Sequence, residues 1–374
     1  MAKVILQIAN DYSGSKVYKN LFLEFDKFGL EQVVYTAIRR NDLVDRNSVS
    51  FQSPFSRILY RDILKWMDRW LYYSKINKIY IDVLRCVNVS SLSVIHAHTW
   101  FSDGGVAFLL HRKLKLPFHV TVRSTDLFVF FKFFPFLRGF AKRILLAADS
   151  VIFVSPALLL RFRSLVGENF YSKISNKINV LPNGVDDFWL NNKSVFKNSL
   201  STPIRALYVG TFIKRKNVVS VIDAIKLLRE KGFLIELILV GGGGAQHKGV
   251  MKIIDDLHYV NYLGKIPDLT EMLRIYRYSD FFVMPSYGET FGLVYIEALL
   301  QGCPVIYLKD DAIDGLYDFK IGSVAQNSST NAVFNAINDL IVNYDLLEIN
   351  QELIACEHNW NFIAKKFLKI YGIK

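Results

Sequence analysis

The sequence predicts an α/β protein built from two doubly wound domains that face a central cleft. Short apolar runs of strand length alternate along the chain with longer segments in which apolar residues recur at helical spacing. With 374 residues, the chain is too long for one ordinary core and suits two domains of about 150 to 200 residues each. A polar stretch without strand patterning, residues 188–203, is the predicted linker between them.

The composition excludes several classes of protein. Hydrophobic residues make up 51% of the chain, which is enough for two sizeable cores. The three cysteines are widely spaced and odd in number, so a disulfide framework is not expected and a reducing compartment is indicated. The first apolar run has only strand length and no cleavage site, and no window of about 18 apolar residues is free of charge. We therefore expect neither a signal peptide nor a membrane-spanning helix.

The positive charge lies in the first half of the chain. Residues 1–190 hold 26 Lys and Arg against 15 Asp and Glu, whereas residues 191–374 hold 20 against 19. This charge favours an acidic partner, which could be nucleic acid, an anionic membrane face or a phosphate-bearing substrate. Composition alone does not choose among them.

Six strands are predicted in the first half, at residues 3–9, 31–37, 93–99, 119–123, 150–155 and 178–182. A helix is predicted at 16–28, and the aromatic and basic segment 57–84 indicates one or two more. Gly14 lies in the loop before the first helix, where an ordinary turn with an N-cap serine explains it equally well.

Two histidines, His96 and His98, end the strand at 93–99 and point to one face of it. Metal sites use this spacing, but no third ligand is nearby in the sequence. A metal is therefore the weaker interpretation, and we expect none.

Residues 127–146 combine seven phenylalanines with four Lys or Arg, interrupted by Pro135 and Gly139. The segment is too short and too charged to span a bilayer, yet this mixture is typical of interfacial segments. It predicts docking on an anionic membrane leaflet or binding of a lipid-linked acceptor. Burial between the domains is the alternative.

Five strands are predicted in the second half, at residues 205–210, 234–240, 260–266, 280–284 and 303–308. Helices are predicted at 218–230, 291–300 and 331–342, and an amphipathic helix at the end of the chain. Four consecutive glycines, 241–244, match neither the dinucleotide fingerprint nor a P-loop, so they indicate a tight turn after a strand.

Residues 285–305, PSYGETFGLVYIEALLQGCPV, carry the strongest functional signal. Glu289 lies in a loop and Glu297 inside the following helix, whose first-turn N–H groups form an anion site with the helix dipole. Gly292 would let an anion approach closely. A phosphate-binding helix start with two carboxylates suits a nucleotide sugar. Taken singly, each glutamate is more often a solvated surface residue.

This stretch resembles the signature of the family 4 retaining glycosyltransferases, whose GT-B fold has two Rossmann-like domains. Both glutamates stand at the family's spacing, and Glu-Thr-Phe-Gly-Leu and Gly-Cys-Pro-Val match its flanking motifs. The resemblance implies that Glu289 contacts the hydroxyls of the donor sugar and that Glu297 binds the nucleotide ribose. The helix start would bind the rest of the donor through Thr290, Phe291, Gly292, Leu293 and Val294.

The resemblance also implies a basic loop for the leaving diphosphate, beginning after Gly210. Lys216 matches the family's lysine, but Thr211 stands where the family has an arginine, and Lys214 or Arg215 could compensate. Further along, Lys265 and Ile266 occupy the position that cradles the nucleotide base.

In the first half, the resemblance places His98 on the acceptor side of the cleft and Gly14 where the family carries a pair of glycines. Arg123 replaces the family's sugar-contacting histidine, whereas Asp126 is kept. An arginine there suggests a more anionic ligand, and a structural salt bridge between Arg123 and Asp126 is the alternative.

The function implied is a metal-independent retaining glycosyltransferase with a nucleotide-diphosphate sugar as co-substrate and no other cofactor. The acceptor hydroxyl would attack on the face that the diphosphate leaves, with Glu289 orienting the sugar. A glycan or lipid-linked acceptor in bacterial surface polysaccharide synthesis is expected, and nucleic acid is not. We expect a cytoplasmic protein, peripheral at the inner face of the membrane. The alternatives are a sugar-nucleotide epimerase of the same fold and a non-catalytic sugar or nucleic-acid binding protein.

The domain expectation is an acceptor-binding domain at 1–190 and a donor-binding domain at 191–358, with a final helix at 359–374 that crosses back onto the first domain. The sequence does not reveal the sugar, the nucleotide or the acceptor.

Overall fold

The computed structural model describes residues 4–373. The first residue of the strand expected at 3–9 and the last residue of the helix expected at 359–374 lie outside the described residues. The chain forms two compact units. The first comprises the chain up to Val154, then Leu159–Gly184 and the chain from Trp360 onward, and the second comprises Ser155–Leu158 and Val185–Asn359. The division thus falls after Gly184, whereas the sequence placed it after residue 190.

The first unit is built on a parallel sheet of seven strands in the order β3-β2-β1-β4-β5-β6-β7. Near-continuous runs of buried Val, Ile and Leu in the central strands fit a parallel sheet covered on both faces. The strands are β1 Val4–Ile8, β2 Glu31–Ile38, β3 Arg57–Asp62, β4 Leu92–Ala97, β5 Phe118–Val122, β6 Ser150–Phe153 and β7 Ile178–Val180.

The second unit is built on a parallel sheet of six strands in the order β10-β9-β8-β11-β12-β13. The strands are β8 Ile204–Gly210, β9 Ile235–Gly241, β10 Val260–Gly264, β11 Phe281–Val283, β12 Val305–Leu308 and β13 Gly322–Ala325.

Helices lie in most connections between the parallel strands of both sheets, whereas those between β2 and β3 and between β12 and β13 contain no α-helix. The helices are α1 Lys16–Lys27, α2 Tyr72–Cys86, α3 Ser102–Leu114, α4 Arg138–Ala147, α5 Pro156–Val166, α6 Glu168–Tyr171, α7 Asp187–Asn191, α8 Val218–Glu230, α9 His247–Ile254, α10 Leu269–Tyr278, α11 Leu293–Leu300, α12 Thr330–Val342, α13 Gln351–Glu357 and α14 Trp360–Ile370. The last of these packs within the first unit, where Phe367 and Tyr371 contact the ring of Phe25 on α1.

The strand order of each sheet determines where a ligand can bind. In the second unit the chain proceeds outward from β8 to β9 and β10, and then continues from β11 on the other side of β8. The connections after β8 and after β11 therefore run in opposite directions across the sheet. The gap between them is a topological switch point, where doubly wound sheets bind their ligands. In the first unit, β1 and β4 form the equivalent pair.

The two doubly wound sheets confirm the predicted fold class, but some elements differ from the expectation. Residues 57–62 form the edge strand β3, which pairs with β2 from Val33–Arg57 to Ile38–Asp62, and only the later part of the expected helical segment is helical. The helix expected from residue 291 begins at Leu293, because Gly292 has a left-handed φ of 82°. The region expected to be a linker includes the short helix α7.

Candidate functional site

Glu289, Lys216 and Arg215 form a charged cluster at the switch point of the second unit. Lys216 Nζ donates a hydrogen bond to Glu289 Oε2, and a guanidinium nitrogen of Arg215 lies 3.3 Å from the same oxygen. The Glu289 side chain is only 12% exposed. Burial would raise the pKa of Glu289, but Lys216 and Arg215 outweigh burial and hold it below its ordinary value. The carboxylate is therefore ionised at neutral pH.

Asp311 fixes the loop that carries Glu289. Its buried carboxylate accepts hydrogen bonds from the backbone N–H of Gly288 at 2.6 Å and of Glu289 at 2.8 Å. On either side of Asp311, Asp310 and Ala312 have φ angles of 56° and 48°. Left-handed backbone is unfavourable for such residues and persists where surrounding contacts fix it, often at functional sites. Sequence reasoning missed Asp311, although a pair of aspartates directly after a strand was a usable signal.

The start of α11 differs from the expected anion site. The first-turn N–H groups begin at Leu293 and Val294, while Phe291 is buried with its ring 5.5 Å from that of His358. A Cβ on Gly292 would lie 2.7 Å from the ring of Tyr295, so only glycine fits there. The N–H of Thr290 donates to Glu289 Oε1 at 3.2 Å, which turns this loop back onto the carboxylate.

Glu297, in the middle of α11, is partly buried and has one defined partner. The hydroxyl of the fully buried Tyr276 donates to Glu297 Oε2 at 3.2 Å. Burial raises the pKa of Glu297 to about 7, with Asp186 adding to the increase and the Tyr276 bond opposing it. A carboxyl group with this pKa exchanges a proton readily near neutral pH. Sequence reasoning had not found Tyr276.

The four-glycine turn after β9 packs against the loop after β8. All four glycines have positive φ, and a Cβ on Gly241 would lie 2.1 Å from the carbonyl oxygen of Gly210. A Cβ on Gly244 would approach the Thr211 side chain to 3.1 Å, and one on Gly243 would lie 3.8 Å from Lys265 Nζ. Gly210, Thr211 and Lys265 are thus brought to one edge of the sheet. Ile266 follows Lys265 and is partly buried.

In the first unit, Asp126 ties together the loops that follow β4 and β5. Its buried carboxylate accepts hydrogen bonds from the backbone N–H groups of Trp100, Phe101 and Arg123, at 3.0, 3.0 and 2.9 Å. Burial raises the pKa of Asp126 to about 6, against the effect of these bonds. The bond from Arg123 to Asp126 comes from the backbone N–H of Arg123. It therefore differs from the salt bridge between the two side chains that the sequence left as the alternative.

The side chain of Arg123 is held among three groups. Its guanidinium lies 5.4 Å from the ring centre of Tyr18, and its NH1 is 3.3 Å from Asn183 Oδ1. Its Nε lies 3.5 Å from the carbonyl oxygen of His98. The His98 ring is buried, with Nε2 2.9 Å from Gln7 Oε1, and burial and Arg123 lower its pKa far below the ordinary value. His98 and Arg123 are therefore adjacent at the carboxyl edge of the first sheet, with His98 neutral.

Gly14 lies in a short turn, Tyr12–Gly14, directly before α1. Ser15 caps this helix by accepting a hydrogen bond from the N–H of Val17 at 3.4 Å. A Cβ on Gly14 would lie 2.6 Å from Asp11 Oδ1. The capped turn considered as the ordinary explanation of Gly14 is thus present.

The sequence reasoning missed a buried carboxyl group, Asp103, at the start of α3. Asn10 Nδ2 donates to Asp103 Oδ1 at 2.6 Å, and Lys75 Nζ donates to the neighbouring Ser102. Burial raises the pKa of Asp103 and lowers that of Lys75. The signal was its position in a run of small residues directly after the His96 and His98 strand end.

His96, His98 and His119 lie close together beneath α14. The rings of His96 and His98 are 4.0 Å apart, and the hydroxyl of Tyr371 lies 2.6 Å from His96 Nδ1. His119 Nδ1 lies 2.7 Å from Ser150 Oγ. Within residues 4–373, no group of three or more His, Cys, Asp or Glu has the arrangement of a metal site.

The segment 127–146 is divided between core and surface. It forms a π-helical turn, Asp126–Phe131, a 3-10 turn, Pro135–Leu137, and α4. Phe131 is buried, whereas Phe133 and Phe136 are each 66% exposed. None of the helices described between residues 4 and 373 is long and apolar enough to cross a bilayer.

Comparisons with known proteins assign both units. The family model described as Glycosyltransferase Family 4 matches residues 15–187, and the model described as Glycosyl transferases group 1 matches residues 191–354. A Bacillus subtilis glycosyltransferase named for teichuronic acid biosynthesis, TuaC, is 27% identical over 80% of this chain and 74% of its own. The alpha-monoglucosyldiacylglycerol synthase of Acholeplasma laidlawii is 22% identical over 90% of this chain and 84% of its own.

Among solved structures, sucrose-phosphate synthase from Thermosynechococcus elongatus superimposes with a TM-score of 0.74 at 21% identity. The match covers 99% of this chain and 98% of that one.

Proposed function

Because the chain belongs to the family 4 glycosyltransferases and has their GT-B fold, we propose that it transfers a sugar, with retention of configuration, from a nucleotide-diphosphate sugar to a glycan or lipid-linked acceptor. One observation carries this proposal. Lys216, Arg215 and an ionised Glu289 meet at the carboxyl edge of β8 and β11, the position where a doubly wound sheet binds its ligand.

In the proposed donor complex, Lys216 and Arg215 neutralise the diphosphate as it leaves. These two cations and the dipole of α11 stabilise the negative charge that develops there. Arg215 contacts the same Glu289 oxygen as Lys216. In the proposed mechanism it does the work of the family's arginine, whose position is occupied by Thr211 in this chain. This arrangement supplies the charge neutralisation from side chains, so the proposed mechanism is metal-independent.

Glu289 has the orienting role in this mechanism. Its carboxylate is held by the Asp311 loop and accepts hydrogen bonds from the hydroxyls of the donor sugar once Lys216 turns to the diphosphate. The acceptor hydroxyl attacks the anomeric carbon on the face that the diphosphate leaves. A phosphate oxygen of the donor takes the proton, and the configuration is retained. Glu297 binds the ribose of the nucleotide.

The acceptor side belongs to the first unit in this proposal. Arg123 offers a fork of donors to an anionic group of the acceptor, next to His98. One relative is named for teichuronic acid biosynthesis and another for the synthesis of a monoglucosyldiacylglycerol, which supports an acceptor in bacterial surface glycan or glycolipid synthesis. The proposal places the protein in a reducing compartment such as the cytoplasm, because its three cysteines are odd in number and widely spaced in the sequence.

A thermal-shift panel tests the donor site. UDP, GDP, ADP and their common sugars are added to the wild type with and without divalent metal. We expect one nucleotide to raise the melting temperature without metal, because a ligand at 100 times its Kd stabilises the fold by about 2.7 kcal/mol. Glu297→Ala should abolish the shift, whereas Glu352→Ala, which removes an exposed surface glutamate, should keep it.

Product analysis with the stabilising donor then separates the candidate activities. Transfer to an added glycan or glycolipid acceptor with retained anomeric configuration supports the proposal. An epimerase would change the donor sugar without an acceptor, and a non-catalytic binder would show the thermal shift with neither reaction. No shift with any nucleotide would contradict the proposed donor site.

A further inference from the structure

The first unit exposes a set of large apolar side chains that we call the aromatic face. Trp66 and Trp70 are 71% and 68% exposed, and Phe133 and Phe136 are each 66% exposed. Large exposed aromatic patches mark interaction sites in soluble domains. The face consists of Trp66, Met67, Trp70, Leu71, Tyr73, Val129, Phe133 and Phe136.

The two tryptophans stand on a turn that the structure holds firmly. In the 3-10 turn Trp66–Arg69, the buried carboxylate of Asp68 accepts from the N–H of Lys65 and from Lys78 Nζ, each at 2.7 Å. The N–H groups of Trp70 and Leu71 both donate to the carbonyl oxygen of Met67. These bonds fix the backbone of the turn from which both indoles are exposed.

Ring contacts join the start of α2, which follows this turn, to the segment 127–146. The ring of Tyr73 lies 5.5 Å from that of Phe140 on α4, and Tyr72 contacts both Phe140 and Phe101. Phe101 stacks on Phe130 at 5.2 Å. Beyond Phe130 the contacts continue through Phe134 to Phe136. Tyr73 on α2 and the exposed Phe136 therefore belong to one connected set of ring contacts, and the exposed Trp70 lies three residues before Tyr73 in the chain.

Positive charge accompanies the aromatic face. Residues 127–146 contain four Lys or Arg and no acidic residue. Lys65 and Arg69 are exposed on the tryptophan turn, whose Asp68 is already paired with Lys78. Burial lowers the pKa of Arg39, and the positive charge of the nearby Arg69 lowers it further. Like charges collected in this way indicate an anionic partner.

We propose that the aromatic face docks the protein on an anionic lipid bilayer, with Trp66, Trp70, Phe133 and Phe136 inserted at the boundary between headgroups and acyl chains. Tryptophan rings prefer this boundary, because one edge of the indole is apolar and the other donates a hydrogen bond. Basic side chains around them attract acidic headgroups. The inference goes beyond the proposed function, since docking requires neither donor nor acceptor, and it adds the tryptophan turn to the segment that the sequence singled out.

Tryptophan fluorescence gives a direct readout of this docking. The chain has five tryptophans, and Trp100, Trp189 and Trp360 are buried. A change in emission on mixing with vesicles therefore comes mainly from Trp66 and Trp70. We expect a blue shift, and flotation of the protein, with phosphatidylglycerol vesicles but not with phosphatidylcholine vesicles. The binding should weaken as salt is added, because exposed charges are screened.

Matched variants decide which surface is responsible. Trp66→Ser/Trp70→Ser should lower the fraction that floats roughly tenfold, because the inserted apolar surface is lost. Phe55→Ser is the control, because Phe55 is 64% exposed but lies at the opposite, amino-terminal end of β3. It should float like the wild type. Equal melting temperatures of the variants and the wild type establish that the fold is intact.

The proposal is overturned if the folded wild type stays at the bottom of the gradient with phosphatidylglycerol vesicles. It is also overturned if the double tryptophan variant floats as well as the wild type, or if Phe55→Ser loses flotation to the same extent. Each of these outcomes is independent of the nucleotide-induced thermal shift, so a failure of docking is distinguishable from a failure of the donor site.

Discussion

Lys216 is the residue that decides the state of Glu289. A carboxylate with 12% of its side chain exposed would hold a raised pKa without a cation beside it, yet the pKa of Glu289 is lowered. Lys216 itself is 15% exposed and is therefore poorly screened by water. The same pair thus keeps the sugar-orienting group ionised and supplies a cation for the leaving diphosphate.

Lys216→Ala should reduce kcat roughly 10² to 10³-fold, the loss typical of removing one preorganised electrostatic partner of the transition state. It should also raise the pKa of Glu289, so the acid limb of the pH–rate profile should move to higher pH. Both are measured by steady-state transfer kinetics across a pH series.

Lys226→Ala provides the matched control, because Lys226 is an exposed lysine on α8 outside the charged cluster. The control should retain the wild-type rate and profile. An unchanged kcat in Lys216→Ala would remove Lys216 from the proposed mechanism.

Sequence reasoning singled out Glu289 and Glu297 because their spacing belongs to a recognisable motif, and Lys216 because of its position in the basic loop after Gly210. It did not find Asp311 or Tyr276, which act through the backbone of one loop and through a single hydroxyl. Both lie outside the motif in sequence and reach it only through the packing of adjacent elements. Contacts of this kind depend on the register of strands and helices, which local patterns do not specify.

At the scale of elements, the glycine turn after β9 determines how closely two loops can approach. Gly241→Ala should destabilise the second unit by about 3 kcal/mol or more, because the new Cβ would overlap the carbonyl oxygen of Gly210 at a positive φ. Gly243→Ala also places a side chain at a positive φ, 69° against 117° for Gly241, but no atom lies nearer than 3.8 Å, so it should cost only about 1 kcal/mol. Urea unfolding of both variants measures the difference, and equal losses would contradict the steric argument.

Elements with a strong periodic pattern were predicted well, whereas mixed segments were not. The strands β8, β9 and β12 are predominantly apolar, and the sequence located them within a residue or two. In residues 57–84, by contrast, aromatic residues at helical spacing concealed the edge strand β3. An edge strand pairs on one side only and has partly buried residues on both faces, so it lacks the alternation that identifies a strand.

At the scale of the whole molecule, the buried histidines give the first unit a pH dependence. Burial lowers the pKa of His119 to about 4, and it also lowers the pKa values of His96 and His98 well below the ordinary value. At pH values between the folded and the unfolded pKa of these histidines, the unfolded chain binds more protons than the folded chain. The free energy of unfolding therefore decreases as the pH falls through this range. Asp126 acts in the opposite sense, since its pKa is raised and its protonated form is favoured in the folded state.

His119→Gln isolates one of these contributions from the others. On going from pH 7 to pH 5, the wild type should lose about 2 kcal/mol more stability than the variant, given a shift from 6.5 to about 4 in the folded state. Urea unfolding at the two pH values measures this, with the transition of the first unit followed separately from that of the second. An identical pH dependence of the two proteins would show that folding does not lower the pKa of His119.

The overall architecture was the part of the molecule that the sequence predicted best. Alternating strands and helices in two halves permit few arrangements, because parallel strands need crossover helices and right-handed connections. The small segment Ser155–Leu158 and the break after Gly184 were not foreseen, because neither has a composition that distinguishes it from its neighbours.

The discontinuous first unit has a consequence for protein synthesis. Its sheet is encoded before Gly184, but α14, which packs on α1 and places Tyr371 against His96, is encoded only after the whole second unit. Domains fold as units while the chain emerges from the ribosome. The second unit, which is nearly continuous in sequence, can therefore complete its core during translation. The first unit must wait with the apolar surface around Phe25 uncovered until residues 360–373 have been made.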